Sequence, residues 1–365
     1  MKKQCLLILF ILVITRVHAQ NSAEWKTTIG TLEEKEYLGR KAFFLNKGLA
    51  YLPASQFTDG VIEVDMATTL MSGLAFRIDA NHNYEEAYIR YPKSGYTDAL
   101  QFGSVFNGEF SWQFFPEYQA KVVYPADQWI HMKIIVEGDK AGIYLLNQDT
   151  AVLYIDSLRT GNKQGHIGVW ALNGAYFSNL NYRKATGEEK LPAITKKLLY
   201  NPDAIKKWWI SGPVAFTEPP SDGVQTSVAS LKLEETISDP DGYLNINRYA
   251  KKKIWGSSRN NSNDMVWLRY EWDENADGLK PFSFEYSNMC FIYFNDHKIF
   301  AGNNSFLLKG PFYRGDIDKQ MKANTVFLPV KKGKNNLLVA VSGVTNGWGF
   351  MGQFADGTKK KFGTF

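Results

Sequence analysis

The 365-residue sequence predicts an all-β protein: two β-sandwich or jelly-roll domains in series behind a signal peptide. Three observations lead there. Residues 59–90, DGVIEVDMATTLMSGLAFRIDANHNYEEAYIR, alternate apolar and polar side chains with the period of two that marks a sheet with one buried face. Short runs of this kind recur along the chain, punctuated by Gly, Asn and Asp, without helical periodicity. A charged, proline-containing stretch, RKATGEEKLPAITKKLL at 183–199, divides them into two sets.

In chain order, residues 1–19 come first. Lys2 and Lys3 precede an apolar run from Leu6 to Ile14, and Val17-His18-Ala19 follows. A basic start, a short apolar middle and a small-residue cleavage site read as a secretory signal. The run is too short to span a bilayer as a helix, and no later segment comes close. Cleavage removes Lys2, Lys3 and Arg16, taking the formal charge from +5 to +2. No basic footprint for nucleic acid is then left. Cys290 alone survives of the two cysteines, which excludes an intramolecular disulfide and a cysteine-based metal site. With 44% apolar and 15% aromatic residues, the exported chain rests on its hydrophobic core instead. The sequence places it in the periplasm or outside the cell.

Residues 20–182 form the first expected domain. Alternation turns Ile62, Val64 and Met66 inward and Glu63 and Asp65 outward. The next strand turns Leu74, Phe76 and Ile78 inward and Arg77 outward. The strand after it buries Ala87, Ile89 and Tyr91 and presents Glu86, Tyr88 and Arg90. Further strands are expected at 129–137, 142–146, 152–155 and 166–171. The linker at 183–199 leads into a second domain, 200–365, with strands at 265–272, 281–286, 289–294, 299–301, 326–330, 337–342 and 348–354. Asn295-Asp296 between two of these reads as a hairpin turn. Trp208-Trp209, just past the linker, is expected to pack the two domains together.

The segments DGVIEVDM, SGLAFRI, NYEEAYIRYP, ALQF, YPADQWIHMKIIVEG, GHIGVW and FSNLNY cover most of residues 57–182. They resemble the concanavalin A-like lectin/glucanase superfamily, in the laminin-G-like branch met as a domain of unknown function in exported bacterial proteins. WWISGPV, FIYFNDHKIFAGN, NTVFLPVKKGKNNLLVAVSG and GWGFMGQF resemble a galactose-binding-like jelly roll, a module that often accompanies bacterial glycoside hydrolases. Both resemblances imply carbohydrate recognition, which the fold alone does not prove.

Three constellations carry chemistry. Glu63 and Asp65 resemble the acidic strand of laminarinase-like hydrolases. The following positions are Ala67, Thr68 and Thr69, so a second carboxylate at the spacing of a retaining mechanism is missing. Arg77, Glu86, Tyr88, Arg90, Gln101 and Trp112 gather polar forks and rings on the face turned away from the core. Guanidinium groups grip hydroxyls or a uronate, and a ring covers the apolar side of a sugar. The same face is equally readable as solvated cross-strand pairs. Arg90, if solvated, contributes little to stability. Asp273, Asn275 and Asp277 match the first half of a calcium loop, but Phe284 stands where its closing glutamate belongs. A polar turn is the competing reading. The four histidines that remain after cleavage show no metal-ligand spacing.

The leading functional expectation is an exported, non-catalytic carbohydrate-binding protein that takes a glycan on the polar face of its first domain. A divergent glycoside hydrolase or lyase, with Glu63, Asp65, Glu85 and Glu86 as candidates, is the alternative. An adhesion or scaffold module that binds a protein is the third. No cofactor is called for beyond the possible calcium.

Overall fold

The computed structural model describes residues 24–193, 201–216, 220–252, 263–343 and 347–354. The expected leader and part of the expected linker lie outside them. Two stacked pairs of antiparallel sheets account for nearly all of the described chain, and the all-β expectation holds.

The first pair is an 8-stranded sheet and a 7-stranded sheet. In the 8-stranded sheet the order of the central strands is Gly48–Tyr51, His166–Ala171, Met71–Ile78, Tyr84–Arg90 and Leu100–Phe106. The 7-stranded sheet is centred on Ile130–Glu137, Gly60–Thr68 and Ala175–Arg183. Ile62, Val64, Met66, Leu74, Phe76, Ala87, Ile89, Phe102, Ile134 and Val169 meet between them in one core. Burial of this apolar area, at roughly 25 cal/mol per Å², is the main stabilising contribution. Four strands between Lys26 and Tyr51 escaped the sequence reading. One of them, Leu32–Tyr37, carries Glu33, Glu34, Lys35 and Glu36 and forms the outer edge of the 7-stranded sheet.

The phase of alternation slips within the strand Met71–Ile78. Arg77 adopts φ +53°, and the register with His166–Ala171 shifts at the same place. A bulge of this kind resets which face later residues occupy. Ile78 therefore leaves the core and joins Ala75 on the opposite face, against the sequence expectation.

The second pair comprises a 7-stranded and a 4-stranded sheet. Asn263–Glu274 pairs with Gly333–Gly343 along its length, so both strands run further than their alternating centres suggested. Their core includes Val266, Leu268, Phe282, Phe284, Ile292, Val339 and Trp348. Trp208 is fully buried in this same core, and Trp209 is 42% exposed. The tryptophan pair therefore does not join the two bodies.

The joining is done by the segment after the Glu109–Phe110 strand. Phe114 stacks on Tyr243 with ring centroids 4.0 Å apart and a 20° interplanar angle. Tyr243, Ile317, Met321 and Met351 extend the first core cluster across the seam. Gln113 Nε2 donates to the carbonyls of Arg314 and Gly315 at 3.0 and 2.9 Å, and Ile317 N–H donates back to Gln113 O at 2.9 Å. Around these contacts Arg159 pairs with Asp239 and Asp241 at 3.1 and 3.2 Å. Lys319 meets Glu117 at 2.6 Å and Asp241 at 3.4 Å.

A core shared across the seam predicts that both sandwiches melt together. Scanning calorimetry of residues 20–365 is expected to show one transition. Phe114→Ala, which leaves a cavity beside Tyr243, is expected to lower stability by about 3–5 kcal/mol. Two separate transitions in the parent protein would disprove the coupling.

Candidate functional site

The candidate face is the outer side of the 8-stranded sheet, with Tyr84–Arg90 at its centre. Regular alternation turns Tyr84, Glu86, Tyr88 and Arg90 onto it. Across the ladder Glu86 faces Ala75 on one side and Gly103 on the other, and Tyr88 faces Gly73 and Gln101. The small neighbours make room for rings. A Cβ at Gly73 would lie 2.6 Å from that of Tyr88, and one at Gly103 would lie 2.7 Å from the Phe110 ring. Phe110 and Trp170 both stand edge-on to Tyr88, with centroids at 5.3 and 5.6 Å. Tyr51, Phe110 and Trp170, all half-buried, pack on Leu49, Ala75, Ile78, Tyr84 and Val105. These rings stand around the position of Glu86, an arrangement termed the bowl.

Glu86 is 2% exposed. Burial pushes its carboxyl up to about 8, opposed only by a hydrogen bond with Tyr84. Among the described residues no arginine or lysine counters that rise. Glu86 is therefore mainly neutral at pH 7. The Tyr88 hydroxyl meets the amide of Gln101. That amide serves both neighbours when its nitrogen faces Tyr88 and its oxygen accepts from Arg314 Nη2 at 2.6 Å. Arg314 comes from the second sandwich. It lies over the Trp112 ring at 4.7 Å, and Phe306 stands edge-on to Trp112 at 5.5 Å. Arg90 and Arg314 both donate to the buried Asp98, and Arg314 Nε reaches Asp316 at 3.0 Å.

The structure thus brings together Glu86, Tyr88, Arg90, Gln101 and, through Arg314, Trp112. Arg90 is 7% exposed and ion-paired, so it is not the solvated strand arginine the sequence suggested. Arg77 does not join the group. The bulge turns its guanidinium away to Thr58 O at 3.0 Å, Asn162 O at 3.2 Å, Gly138 O at 2.8 Å and Asp59 at 2.7 Å. With 2% exposure it is a clasp that ties three loops together.

Glu63 and Asp65 lie on the other sheet, away from the bowl. Glu63 faces Arg183 at 3.7 Å. Asp65 is held by Arg40, His131 and Asn179 at 2.6, 2.8 and 2.7 Å. Burial alone would raise its carboxyl, but His131, Asn179 and Arg40 outweigh that and keep it below its usual value. Glu85 points into the core side, where it accepts from Ser104 Oγ at 2.5 Å, Thr160 N–H at 2.9 Å and Thr160 Oγ1 at 2.8 Å. Asp273, Asn275 and Asp277 fall at the turn between Asn263–Glu274 and Gly278–Tyr286. Asp277 accepts from Lys332 N–H at 2.8 Å and pairs with Lys331 at 3.4 Å, contacts that hold it low and suit a polar turn. No cluster of three metal-ligating side chains occurs among the described residues.

The sequence reading missed Trp170 and Arg314. Trp170 had a signal, because Ile167, Val169 and Ala171 face the core and leave it outward. Arg314 had none, since it reaches Asp98 from 216 positions away on a segment without alternation.

No family model matches the chain, and no curated protein matches it. Solved structures do. A carbohydrate binding module, CBM66 from Bacillus subtilis, is 21% identical with a TM-score of 0.36, over 44% of this chain and 96% of that one. A Bacillus licheniformis β-glucanase is 12% identical with a TM-score of 0.30, over 46% and 94%. Domain 4 of AbnA, a GH43 extracellular arabinanase from Geobacillus stearothermophilus, is 14% identical with a TM-score of 0.28, over 44% and 78%. Each of these likenesses covers under half of this chain. The chemistry rests on the site alone.

Two variants probe the assignments above. A carboxyl raised by folding supports stability fully below its unfolded value near 4.5 and loses that support as pH climbs through about 8. Glu86→Gln is therefore expected to gain on the wild type as pH rises from 5 to 8, by on the order of 3 kcal/mol at neutral pH. Denaturant melts at each pH read this out, and a constant difference would contradict a neutral Glu86. Arg77→Ala strands Asp59 and three carbonyls and is expected to cost about 3 kcal/mol or more. The same melts check it.

Proposed function

We propose that the protein is an exported, non-catalytic glycan-binding protein whose site is the aromatic bowl of the first sandwich. The observation that carries this reading is the arrangement around Tyr88: half-buried rings at Tyr51, Trp170, Phe110 and Trp112 border the polar groups of Glu86, Arg90, Gln101 and Arg314. A sugar presents an apolar face edged by hydroxyls. Rings cover the first, and fixed donors and acceptors read the second. Arg314 makes the second sandwich part of the site, which gives that body a role in recognition beyond packing.

A hydrolase built on Glu63 and Asp65 finds less support. Both are engaged by cations on the sheet opposite the bowl, and acid–base catalysis requires groups within reach of the bound substrate. A flat apolar patch for a protein partner fits a ring-lined face that holds Glu86, Arg90 and Gln101 poorly.

The test is a glycan array with residues 20–365, followed by calorimetry and a reducing-sugar assay on every hit. Binding without product is expected. Trp170→Ala is expected to weaken it by at least about tenfold, with the thermal midpoint nearly kept because Trp170 is half-buried. Binding unaffected by Trp170→Ala would place the site elsewhere. Released sugar would move the reading to an enzyme.

A further inference from the structure

The charges around the bowl point to the class of sugar it takes. Arg90 and Arg314 both converge on Asp98, and Arg314 also pairs with Asp316 at 3.0 Å. Two cations thus face two carboxylates, and neither guanidinium carries surplus charge for an anion. A site built for uronates or sulfates would keep a positive excess, because taking an anion out of water without a partner is costly. The floor adds a carboxyl instead.

That carboxyl is constrained from every side. On its own strand it has the hydroxyls of Tyr84 and Tyr88. The adjoining strands offer Ala75 and Gly103, and Phe110 and Trp170 form the walls, none of which titrates near neutral pH. Further charges on this face are Arg90 with Arg314 and Asp98, which bear on the adjoining Tyr88, and Glu109 and Lys252, which face each other at 3.8 Å. Glu109 bears on Tyr84, but neither residue shifts Glu86. A ligand seated over Glu86 removes its last contact with water and makes the charged form still more costly.

We infer that the bowl takes an uncharged sugar and excludes acidic ones, with the Glu86 carboxyl donating a hydrogen bond to a ligand oxygen. This rests on the glycan reading above and specifies it. The neutral acid is both donor and acceptor, so it matches a hydroxyl in either orientation. A uronate at the same place meets a second carboxyl, while the two guanidinium groups described there, Arg90 and Arg314, are already ion-paired. Binding then requires the protonated acid, and ligand affinity is linked to its proton.

The experiment is titration calorimetry of the intact mature protein from pH 6 to pH 9.5. The ligands are a neutral oligosaccharide found on the array and its uronate or sulfated counterpart. The neutral ligand is expected to bind with little salt dependence. Its affinity is expected to be level up to about pH 7.5 and to fall toward tenfold per pH unit above pH 8. Glu86→Gln cannot ionise, so the binding it retains is expected to be independent of pH over this range. The acidic counterpart is expected to bind at least about tenfold more weakly. Preference for the acidic ligand, or wild-type affinity that is flat to pH 9.5, would overturn the inference. Loss of all binding in Glu86→Gln at pH 7, with its melting temperature preserved, would also overturn it, because it would demand the charged carboxylate. Failure of every glycan to bind would remove the glycan reading itself, and this inference with it. Carbon-13 NMR of the Glu86 carboxyl then still reads its titration, and a midpoint below 6 would refute the neutral floor without any ligand.

Discussion

Asp98 is the point on which the site depends. It is 7% exposed and accepts from two guanidinium groups, Arg90 of its own sandwich and Arg314 of the other. One buried carboxylate between one arginine and apolar surroundings would be an expensive pair. The second arginine spreads the desolvation cost over three groups and fixes where the second sandwich sits. Once Arg314 is held there, its flat side lies on Trp112 and its edge faces Gln101. Gln101 in turn orients the Tyr88 hydroxyl, against which Trp170 and Phe110 stand. The bowl is the downstream end of a chain of contacts that begins with a charge shared between two bodies.

The ring walls and the neutral floor depend on one another. An ionised Glu86 would draw in water or a cation, and either would displace the rings that bury it. The flanking Ala75 and Gly103 have no polar atoms in their side chains to help. The sheet therefore carries this buried acid, hydrogen-bonded to Tyr84, where neighbouring side chains are smallest, and closes it in with side chains from adjoining strands and from the Glu109–Phe110 hairpin.

Much of this was legible beforehand, for a physical reason: strict alternation reports which face a residue occupies. It assigned Glu86, Tyr88, Arg90 and Gln101 to one surface and Leu74, Phe76, Ala87 and Ile89 to the core. It failed at Arg77, where a positive φ breaks the period and sends the side chain to three loops. A bulge leaves no trace in a pattern of apolar and polar letters. Nor could alternation foresee that the outward face would be covered, because the covering group lies in a separate body and on irregular backbone. Arg90 looked solvated for the same reason. The acidic pair Glu63 and Asp65 was correctly seen as outward, but outward on the 7-stranded sheet is a different place from outward on the bowl, and single-strand periodicity does not distinguish two sheets. The half-matched calcium loop shows the limit of a short motif, since its carboxylate at Asp277 is answered by the Lys331–Lys332 turn.

The charged margin of the first sandwich has a further consequence. Leu32–Tyr37, the outermost strand of its sheet, alternates almost nothing and presents Glu33, Glu34, Lys35 and Glu36 to solvent. An unpaired strand edge is a template on which a second chain can add. A ribbon of mixed charge makes that addition costly, since each incoming copy would bring its own carboxylates against those already there. The short outer strands Lys26–Thr27 and Gln119–Ala120 restrict it further by offering few free backbone groups. Both features disfavour the edge-to-edge addition of another copy at these margins.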